Sequence, residues 1–347
     1  MGRRPYRVEV SIPTTGKAKY FLVKESQIEG QRVKVKKFLC SGNPPSAEEL
    51  ENYRRSYAFD LELRAAKQFS DIITINFQTE HLTNEQINEI EVIRFLYKSV
   101  RDLFTKQELE AYERDFEINY IQGTTSIEGN TFSLKETKDL IYNKITPKGK
   151  SLREINEIQN FKNVKKYREL YFGKVTIDFI KNLHAIIMHN IDDDSAGYFR
   201  RADNVGIVGY DYPLTPAIEI NKELNKILDF YDERIKNRYH PFEEAVMFHY
   251  FFETIHPFAD GNGRVGRETF NYMLAKYKYP KFVFPSRDRA KYITALKLGN
   301  EGKYSEMVTY FADIIIEQNL NLLKDTIRKL IEMPVKSGQT RLTEFFV

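Results

Sequence analysis

A twelve-residue loop concentrates side chains that could carry out chemistry. Residues 256–267 read His-Pro-Phe-Ala-Asp-Gly-Asn-Gly-Arg-Val-Gly-Arg. Because the residue before a proline is driven out of the helical region, the preceding helix is predicted to end at His256. Gly261 and Gly263 allow the backbone to turn back, and a new helix is predicted from about Arg264. Amide hydrogens at such a turn, together with the helix dipole, predict a phosphate-binding site.

The side chains of this loop suit phosphate chemistry. Arg264 and Arg267 are three residues apart, so they share one helix face and can both bind phosphate oxygens. Asp260 offers a hard oxygen ligand to a divalent cation that keeps several of its waters. His256 has an unperturbed pKa near neutrality, as suits a base that takes a proton from an attacking hydroxyl. The loop thus combines a base, a metal ligand, an anion-binding turn and two arginines.

Other interpretations explain fewer of these residues. A plain tight turn before a solvated helix accounts neither for two glycines bracketing Asn262 nor for a histidine beside proline. A P-loop would place Lys and Ser or Thr after the glycines, which this sequence does not. A zinc site built on His249 and His256, two turns apart on one helix, stays open in principle, but no third soft ligand is near, and a core position suits His249 better.

The loop resembles the signature of the Fic (filamentation induced by cAMP) family, HPFx[D/E]GNGRxxR, at every specified position. The resemblance extends over roughly residues 120–315, because residues 197–200 and 300–302 also fall where Fic proteins carry similar residues. Fic domains are helical, and most transfer AMP from Mg-ATP to a Ser, Thr or Tyr hydroxyl of a protein. The resemblance therefore implies a protein adenylyltransferase, a nucleotidyltransferase with ATP as substrate, Mg²⁺ as cofactor and a hydroxyl-bearing target protein as partner.

The resemblance also implies roles for single residues. His256 would be the general base and Asp260 the Mg²⁺ ligand. The glycines and Asn262 would bind the α- and β-phosphates, and the arginines the β- and γ-phosphates. The further candidates for the ATP site are Val208, Gly209, Tyr210, Asp211, Gly261, Gly263, Arg264, Val265, Gly266, Arg267, Tyr292 and Asn300. Relatives that phosphorylate carry Lys in place of Gly263, which favours AMP transfer here, while transfer of another nucleotide and removal of AMP stay open.

A second short segment, residues 124–130, lies at the end of a predicted helix. Taken alone, its Thr-Thr-Ser-Ile-Glu-Gly-Asn sequence indicates a Gly129 C-cap and a surface acid at Glu128. Beside the loop it resembles the inhibitory motif [S/T]xxxE[G/N] of the Fic class with an N-terminal inhibitory helix. The resemblance implies that Glu128 pairs with Arg267, fills the γ-phosphate site and keeps the resting activity low.

The C-terminal tail carries a third pattern, Gln-x-x-Leu-x-x-Phe-Phe, over residues 339–346. It resembles the PCNA-interacting peptide (PIP box), in which Leu and Phe enter a pocket of the sliding clamp. The candidate partner-binding residues are Gln339, Leu342, Phe345 and Phe346. The alternative is that the two phenylalanines fold back onto the protein's own core. A clamp-tethered, DNA-associated binding protein with a silent Fic site is accordingly the rival to the enzyme.

The remaining patterns predict the elements that position these motifs. Alternation in steps of two over residues 1–45 indicates a basic β-meander, whose charge makes DNA contact a further hypothesis. Capping boxes mark helix starts at Ser46, Thr83, Thr105, Ser133 and Ser151, and the helix that starts at Ser133 is predicted over residues 133–144. The fold is thus predicted to be mainly α, with a Fic-type helical core and a short β-hairpin flap around residues 205–213. The predicted units are 1–45, an N-terminal helical region at 46–119, a Fic domain at 120–320, and the end of the C-terminal helix with the tail at 321–347.

Composition bounds the class of protein. With 347 residues, 41% hydrophobic and a net charge of +4, the chain can bury a substantial core. A lone cysteine, Cys40, excludes an internal disulfide framework and favours a cytoplasmic location, and the apolar runs are too short to span a bilayer. A homo-oligomer stays open.

Overall fold

A computed structural model of the chain describes residues 6–203, 205–207, 209, 211–284 and 289–332. The predicted meander is confirmed. Its three antiparallel strands, in the order β1-β2-β3, are β1 (Tyr6–Ser11), β2 (Lys19–Ile28) and β3 (Gln31–Ser41). Gly30 turns β2 into β3 with a φ of 82°, in the left-handed region that glycine tolerates best.

The rest of the described chain is helical, which confirms the predicted fold class. The helices are α1 (Ala47–Thr74), α2 (Asn84–Leu103), α3 (Lys106–Ser126), α4 (Leu134–Lys138), α5 (Leu152–Leu170), α6 (Ile177–Met188), α7 (Ile220–Lys236), α8 (Pro241–Ile255), α9 (Asn262–Lys276), α10 (Arg289–Asn300) and α11 (Tyr304–Glu332). All five predicted capping boxes are present, with both reciprocal hydrogen bonds in each. The local cap signals therefore located the helix starts correctly.

Two predicted elements differ in the structure. The helix predicted over 133–144 is split, because α4 passes into a π-helical turn at Asp139–Asn143 that ends at Lys144 with a φ of 57°. The flap was predicted as a short hairpin, but its described residues 205–207, 209 and 211–213 contain no strand. Gly206, Gly209 and Pro213 all weaken a strand, since glycine packs no side chain and proline donates no ladder hydrogen bond.

The buried side chains form two hydrophobic clusters. One surrounds α8 and α9 and takes in α3, α5, α6, α10 and the first half of α11. The other joins the sheet to α1, α2, the start of α3 and the second half of α11. Helix α3 thus begins in the cluster around the sheet and ends at the candidate site. None of the described helices combines the length and apolarity needed to cross a membrane.

Candidate active site

His256 lies where α8 ends, as predicted from Pro257. Its backbone is left-handed, with a φ of 49°, and its amide still donates to the carbonyl of Phe252 at 2.9 Å. A non-glycine residue in this region is strained, so the surrounding structure must hold it there. The position aims the imidazole into a cavity rather than along the helix axis, since the side chain lines that cavity.

Arg200 supplies the structure that holds His256. Its side chain is buried at 7% exposure of the residue, and its Nε donates to the His256 carbonyl at 2.8 Å. Its backbone amide donates to Pro257 at 3.0 Å, and its Nη2 reaches the carbonyl of Thr215. One guanidinium therefore ties the end of α8 to the segments on either side of the flap.

The protonation state of His256 suits a base. Burial and the nearby charge of Arg200 lower the pKa of His256 to about 4. The ring is therefore neutral at physiological pH and can accept a proton. A hydrogen bond to the backbone of Glu253 only partly offsets this lowering of the pKa. The His256 side chain lines the cavity, where a neutral imidazole can act as a base on a bound hydroxyl.

The side chain of Asn262 closes the loop that follows His256. Its side-chain oxygen accepts from the amide of Phe258, and its nitrogen donates to the carbonyl of the same residue, both at 2.8 Å. Both ends of this amide are used within the loop. The Asn262 side chain thus shapes the anion-binding turn, and only its backbone amide is left to face a phosphate.

His184 supports the loop from α6. Its ring stacks on Phe258 with a centroid distance of 3.7 Å. Its Nδ1 accepts from the amide of Gly197 and its Nε2 bonds the carbonyl of Asp260, both at 2.9 Å. These partners define one neutral tautomer, with the proton on Nε2. In agreement, burial lowers the pKa of His184 to about 4.

The turn into α9 has the backbone geometry that an anion cradle requires. Gly261 has a φ of 79°, and a Cβ there would lie 2.9 Å from the Met188 sulfur, so glycine is required. The first intrahelical hydrogen bond to this turn comes from the amide of Val265. The amides of Asn262, Gly263 and Arg264 precede it and have no carbonyl partner inside the helix. A helix N-terminus of this kind favours an anion.

Glu128 pairs with Arg267, the second arginine of the loop. The Oε1 of Glu128 is 2.7 Å from Nη2 of Arg267. Arg267 is 1% exposed, and its Nε and Nη2 also donate to the hydroxyl and carbonyl of Thr124 at 2.8 Å. Although burial opposes ionisation, the charge of Arg267 holds the pKa of Glu128 below its usual range. The carboxylate is therefore ionised and lies against Gly263.

Asp260 and Arg264 form a second ion pair at the site. Nη2 of Arg264 donates to Asp260 Oδ1 at 3.0 Å, while its Nη1 binds Glu157 of α5 at 3.0 Å. Arg153, also on α5, donates to Asp260 Oδ2. Burial opposes ionisation of Asp260, but Arg264 and Arg153 hold the pKa of Asp260 below its ordinary value. Asp260 therefore offers an ionised oxygen beside the phosphate-binding turn.

His256, Asp260 and the turn at residues 261–263 line one cavity of about 170 Å³. Glu128, Arg267 and the flap residues Gly206 and Ile207 line its mouth and walls. A drug-sized ligand normally fills roughly 300–1,000 Å³, so the resting cavity is small for a nucleoside triphosphate. The Glu128 carboxylate takes up part of that space.

Of the other residues predicted for the ATP site, only some line the cavity. Tyr292 lines the cavity, and its hydroxyl meets Nε2 of His249 at 3.0 Å, whereas Asn300 accepts from the hydroxyl of Tyr250 away from the cavity wall. Val265 is buried in the core, and Gly266 packs against α8. Outside the described residues lie Val208 and Tyr210 of the flap and Gln339, Leu342, Phe345 and Phe346 of the tail.

The other flap residues lie beside α10. Asp211 is 87% exposed in its side chain and pairs with Lys297 at 3.2 Å. Gly209 lies near Ile293, which is 4.0 Å from the place a Cβ would take. His249 is a fully buried core residue, as the sequence favoured over a zinc ligand. Among the described residues, no group of three His, Cys, Asp or Glu side chains could hold a metal ion.

Sequence reasoning missed four residues that shape the site. Arg200 was noticed only as part of a similar segment, and His184, Arg153 and Glu157 had no predicted role. Each of them reaches the loop from another helix or segment, between 56 and 107 residues away along the chain. A contact of this kind leaves no periodic or spacing signal in a single sequence.

Comparison with known proteins identifies the domain that carries this site. Residues 174–274 match the Fic/DOC family. The chain contains a Fic/DOC family domain. The Fic domain includes α6 to α9 and hence His184, His256 and the whole α9 turn. The match ends before α10, and it begins after the segment that contains Glu128.

Relatives extend the likeness beyond the Fic domain. The chain is 30% identical over 247 residues to the protein adenylyltransferase Fic of Aedes aegypti, a match that spans 70% of this chain and 48% of that one. It is 32% identical over 217 residues to the protein of the same name from Drosophila ananassae, spanning 62% and 43%. The chain thus spans about half the length of the curated relatives it matches.

Solved structures share the fold. A Fic domain-containing signaling protein from Bacteroides thetaiotaomicron superposes with a TM-score of 0.62 at 23% identity, covering 70% of this chain and 97% of that one. Fic-1 of C. elegans, residues 134–508, gives a TM-score of 0.58 at 23% identity, covering 81% and 87%. The Fic fold of the helical core is therefore shared with both.

Proposed function

We propose that the protein transfers AMP from ATP to a hydroxyl group of a target protein. The observation that carries this proposal is that the neutral His256 side chain and the turn at the N-terminus of α9 line the same cavity. A base and an anion cradle so arranged suit attack of a hydroxyl on a bound phosphate. The relatives named as protein adenylyltransferases support the choice of AMP.

In this proposal each part of the site has a separate task. His256, which is neutral at physiological pH, takes the proton of the incoming hydroxyl. The α9 amides and Arg267 hold the phosphates and stabilise negative charge, as preorganised donors do in a site that excludes water. The lack of a side chain at Gly263 lets Glu128 and Arg267 lie against the cradle, where the lysine of phosphorylating relatives would stand. The flap, residues 208–211, would hold the target segment by strand addition.

The residues present also fit a magnesium ion. Asp260 is an ionised hard oxygen at the cavity wall, and Mg²⁺ in phosphate sites binds one or two carboxylates and keeps waters. When bound, the ion would neutralise phosphate charge and orient the triphosphate.

We further propose that Glu128 inhibits the resting enzyme. Its carboxylate occupies Arg267, the group assigned to the terminal phosphate, at 2.7 Å. A phosphate and a carboxylate are both anions that bind a guanidinium in the same fork geometry, so they compete. ATP would then bind without presenting its α-phosphorus in line with the hydroxyl.

Labelling with ATP that carries radioactive α-phosphorus tests the activity. His256→Ala should abolish label transfer while leaving ATP binding largely intact, because a base acts on the hydroxyl and contributes little to holding phosphates. His189→Ala is the matched control, since that side chain is 59% exposed on the surface. Transfer by His256→Ala above about a tenth of the parent rate would contradict the role of His256.

The same assay separates the other chemistries that the site could serve. Labelled GTP, CTP and UTP should transfer less well than ATP, and incubation with an AMP-modified protein should release no AMP. Labelling of neither the protein nor a partner, even by Glu128→Gly, would favour the rival hypothesis of a silent Fic site in a clamp-tethered, DNA-associated protein.

We also propose that the tail recruits the protein to a sliding clamp, on the strength of the PIP-like pattern over 339–346. Deletion of residues 339–347 should weaken binding of the full protein to PCNA, measured by titration calorimetry, and should leave self-labelling unchanged. Equal clamp affinity with and without these residues would assign the phenylalanines to the fold. DNA contact by the basic meander, a homo-oligomer and a cytoplasmic location remain predictions.

A further inference from the structure

Both oxygens of the Asp260 carboxylate accept hydrogen bonds in the resting protein. Its Oδ1 accepts from Nη2 of Arg264 at 3.0 Å and from the amide of Gly261. Its Oδ2 accepts from Nη2 of Arg153, which reaches the loop from α5. A divalent cation at Asp260 would need one of these two oxygens.

The two arginines differ in their freedom to move. Arg264 is 1% exposed and is held from its other side by Glu157 at 3.0 Å, so its departure would leave buried charges unpaired. The Arg153 side chain is 54% exposed, and its only other ion pair in the described part of the chain is to Glu157 at 3.4 Å. Arg153 can therefore turn into water at small cost, which leaves Oδ2 as the exchangeable position.

The turn that presents Arg153 is itself fixed. The Ser151 capping box begins α5, and the Glu154 of that box also accepts from the amide of Thr131 at 3.0 Å. Asn130, two residues after Glu128, donates to Glu157 at 2.9 Å. The first turns of α5 thus hold both Arg153 and the segment that follows the inhibitory glutamate.

From these contacts we propose that Arg153 occupies the cation-binding edge of Asp260 in the resting protein, so that a divalent cation must displace its guanidinium in order to bind. This inference rests on the proposed function, which assigns the cation to Asp260. Arg153 is a positioning residue in this scheme: it holds the carboxylate in place and competes for its Oδ2. Cation uptake then becomes an exchange of one positive group for another at a single oxygen.

Binding of Mn²⁺ tests the proposal without any transfer reaction. Free Mn²⁺ is measured by electron paramagnetic resonance in titrations of the full protein, in the presence of saturating AMP. Arg153→Gln should bind Mn²⁺ about fivefold more tightly than the parent, the change expected for removal of a partly exposed ion pair. Asp260→Asn should lose most of this binding in both backgrounds.

Two comparisons make the result specific to Arg153. Lys162→Gln removes the same charge from an exposed position on α5 and should leave the Mn²⁺ affinity at the parent value. The side-chain ¹⁵Nε signal of Arg153 is assigned by its absence from the spectrum of Arg153→Gln. Mg²⁺ should shift this signal in the parent, because the Arg153 guanidinium leaves the Asp260 carboxylate. Suppose that Mn²⁺ binding depends on Asp260. An Mn²⁺ affinity of Arg153→Gln equal to that of the parent would then overturn the proposal, and so would an equal gain in Mn²⁺ affinity in Lys162→Gln. Mn²⁺ binding that is unchanged in Asp260→Asn would overturn the assignment of the cation to Asp260 itself.

Discussion

Replacing Glu128 by glycine should raise AMP transfer. The pair that is lost joins Glu128 Oε1 to Arg267 Nη2 at 2.7 Å, with side-chain exposures of 33% and 1%. Breaking a fully buried pair costs about 3–5 kcal/mol, but the exposed third of Glu128 lowers this toward the roughly 1.5–3 kcal/mol of a hydrogen bond to a charged group. When the pair is removed, that free energy no longer opposes the contact between Arg267 and the γ-phosphate. The expected gain in rate is about ten- to a hundredfold.

The assay is the initial rate of labelling from α-labelled ATP at saturating Mg-ATP, with intact mass to count transferred AMP groups. Glu128→Gly combined with Arg267→Ala should lose the gain, since the two residues act through one contact and their effects do not add. Glu110→Gly, on the helix α3 that precedes Glu128, is the control for replacing a glutamate by glycine, as its side chain is 56% exposed and pairs only weakly with Lys106 at 3.9 Å. Equal rates in parent and Glu128→Gly would refute autoinhibition and leave the catalytic assignment intact.

Two further predictions follow from burial. The pKa of His256 is lowered to about 4, so the base stays neutral when the pH falls from about 8 to about 6. The kcat/KM of Glu128→Gly should therefore not show the half-loss near pH 6.5 that an unperturbed histidine would give. Gly266→Ala should lower the free energy of unfolding in urea by about 1–3 kcal/mol, because the new methyl would meet the Glu253 carboxylate and the Phe252 ring; Gly206→Ala, which points into open space, should unfold like the parent.

Much of the architecture could be predicted because its signals are local. The start of α5 follows from Ser151 and Glu154, since a capping box needs only residues three apart. The exit of α8 at His256 follows from the next residue, Pro257. The split of the helix predicted over 133–144 could not be predicted, because nothing in its sequence marks the π-helical turn.

The candidate site divides in the same way. The loop, its glycines and the Glu128 motif are contiguous in sequence, and the structure brings Glu128 to Arg267 as the resemblance implied. The resemblance implied that Asn262 binds phosphate, but its side chain is hydrogen-bonded to the backbone of Phe258, which leaves only its backbone amide for that role. Arg200 and Arg153 act on the loop from distant segments, and only the folded chain shows those contacts.

Helix α11 has a consequence for how the protein responds to ligands. Phe311 and Ile315, in its first half, pack in the cluster around the active site, and Leu323 and Ile327, in its second half, pack in the cluster under the sheet. Neither cluster can come apart without exposing part of the same helix, so we expect both to melt together in one transition. A nucleotide that binds only at the α9 turn should therefore protect the amides of the distant β-strands from hydrogen exchange.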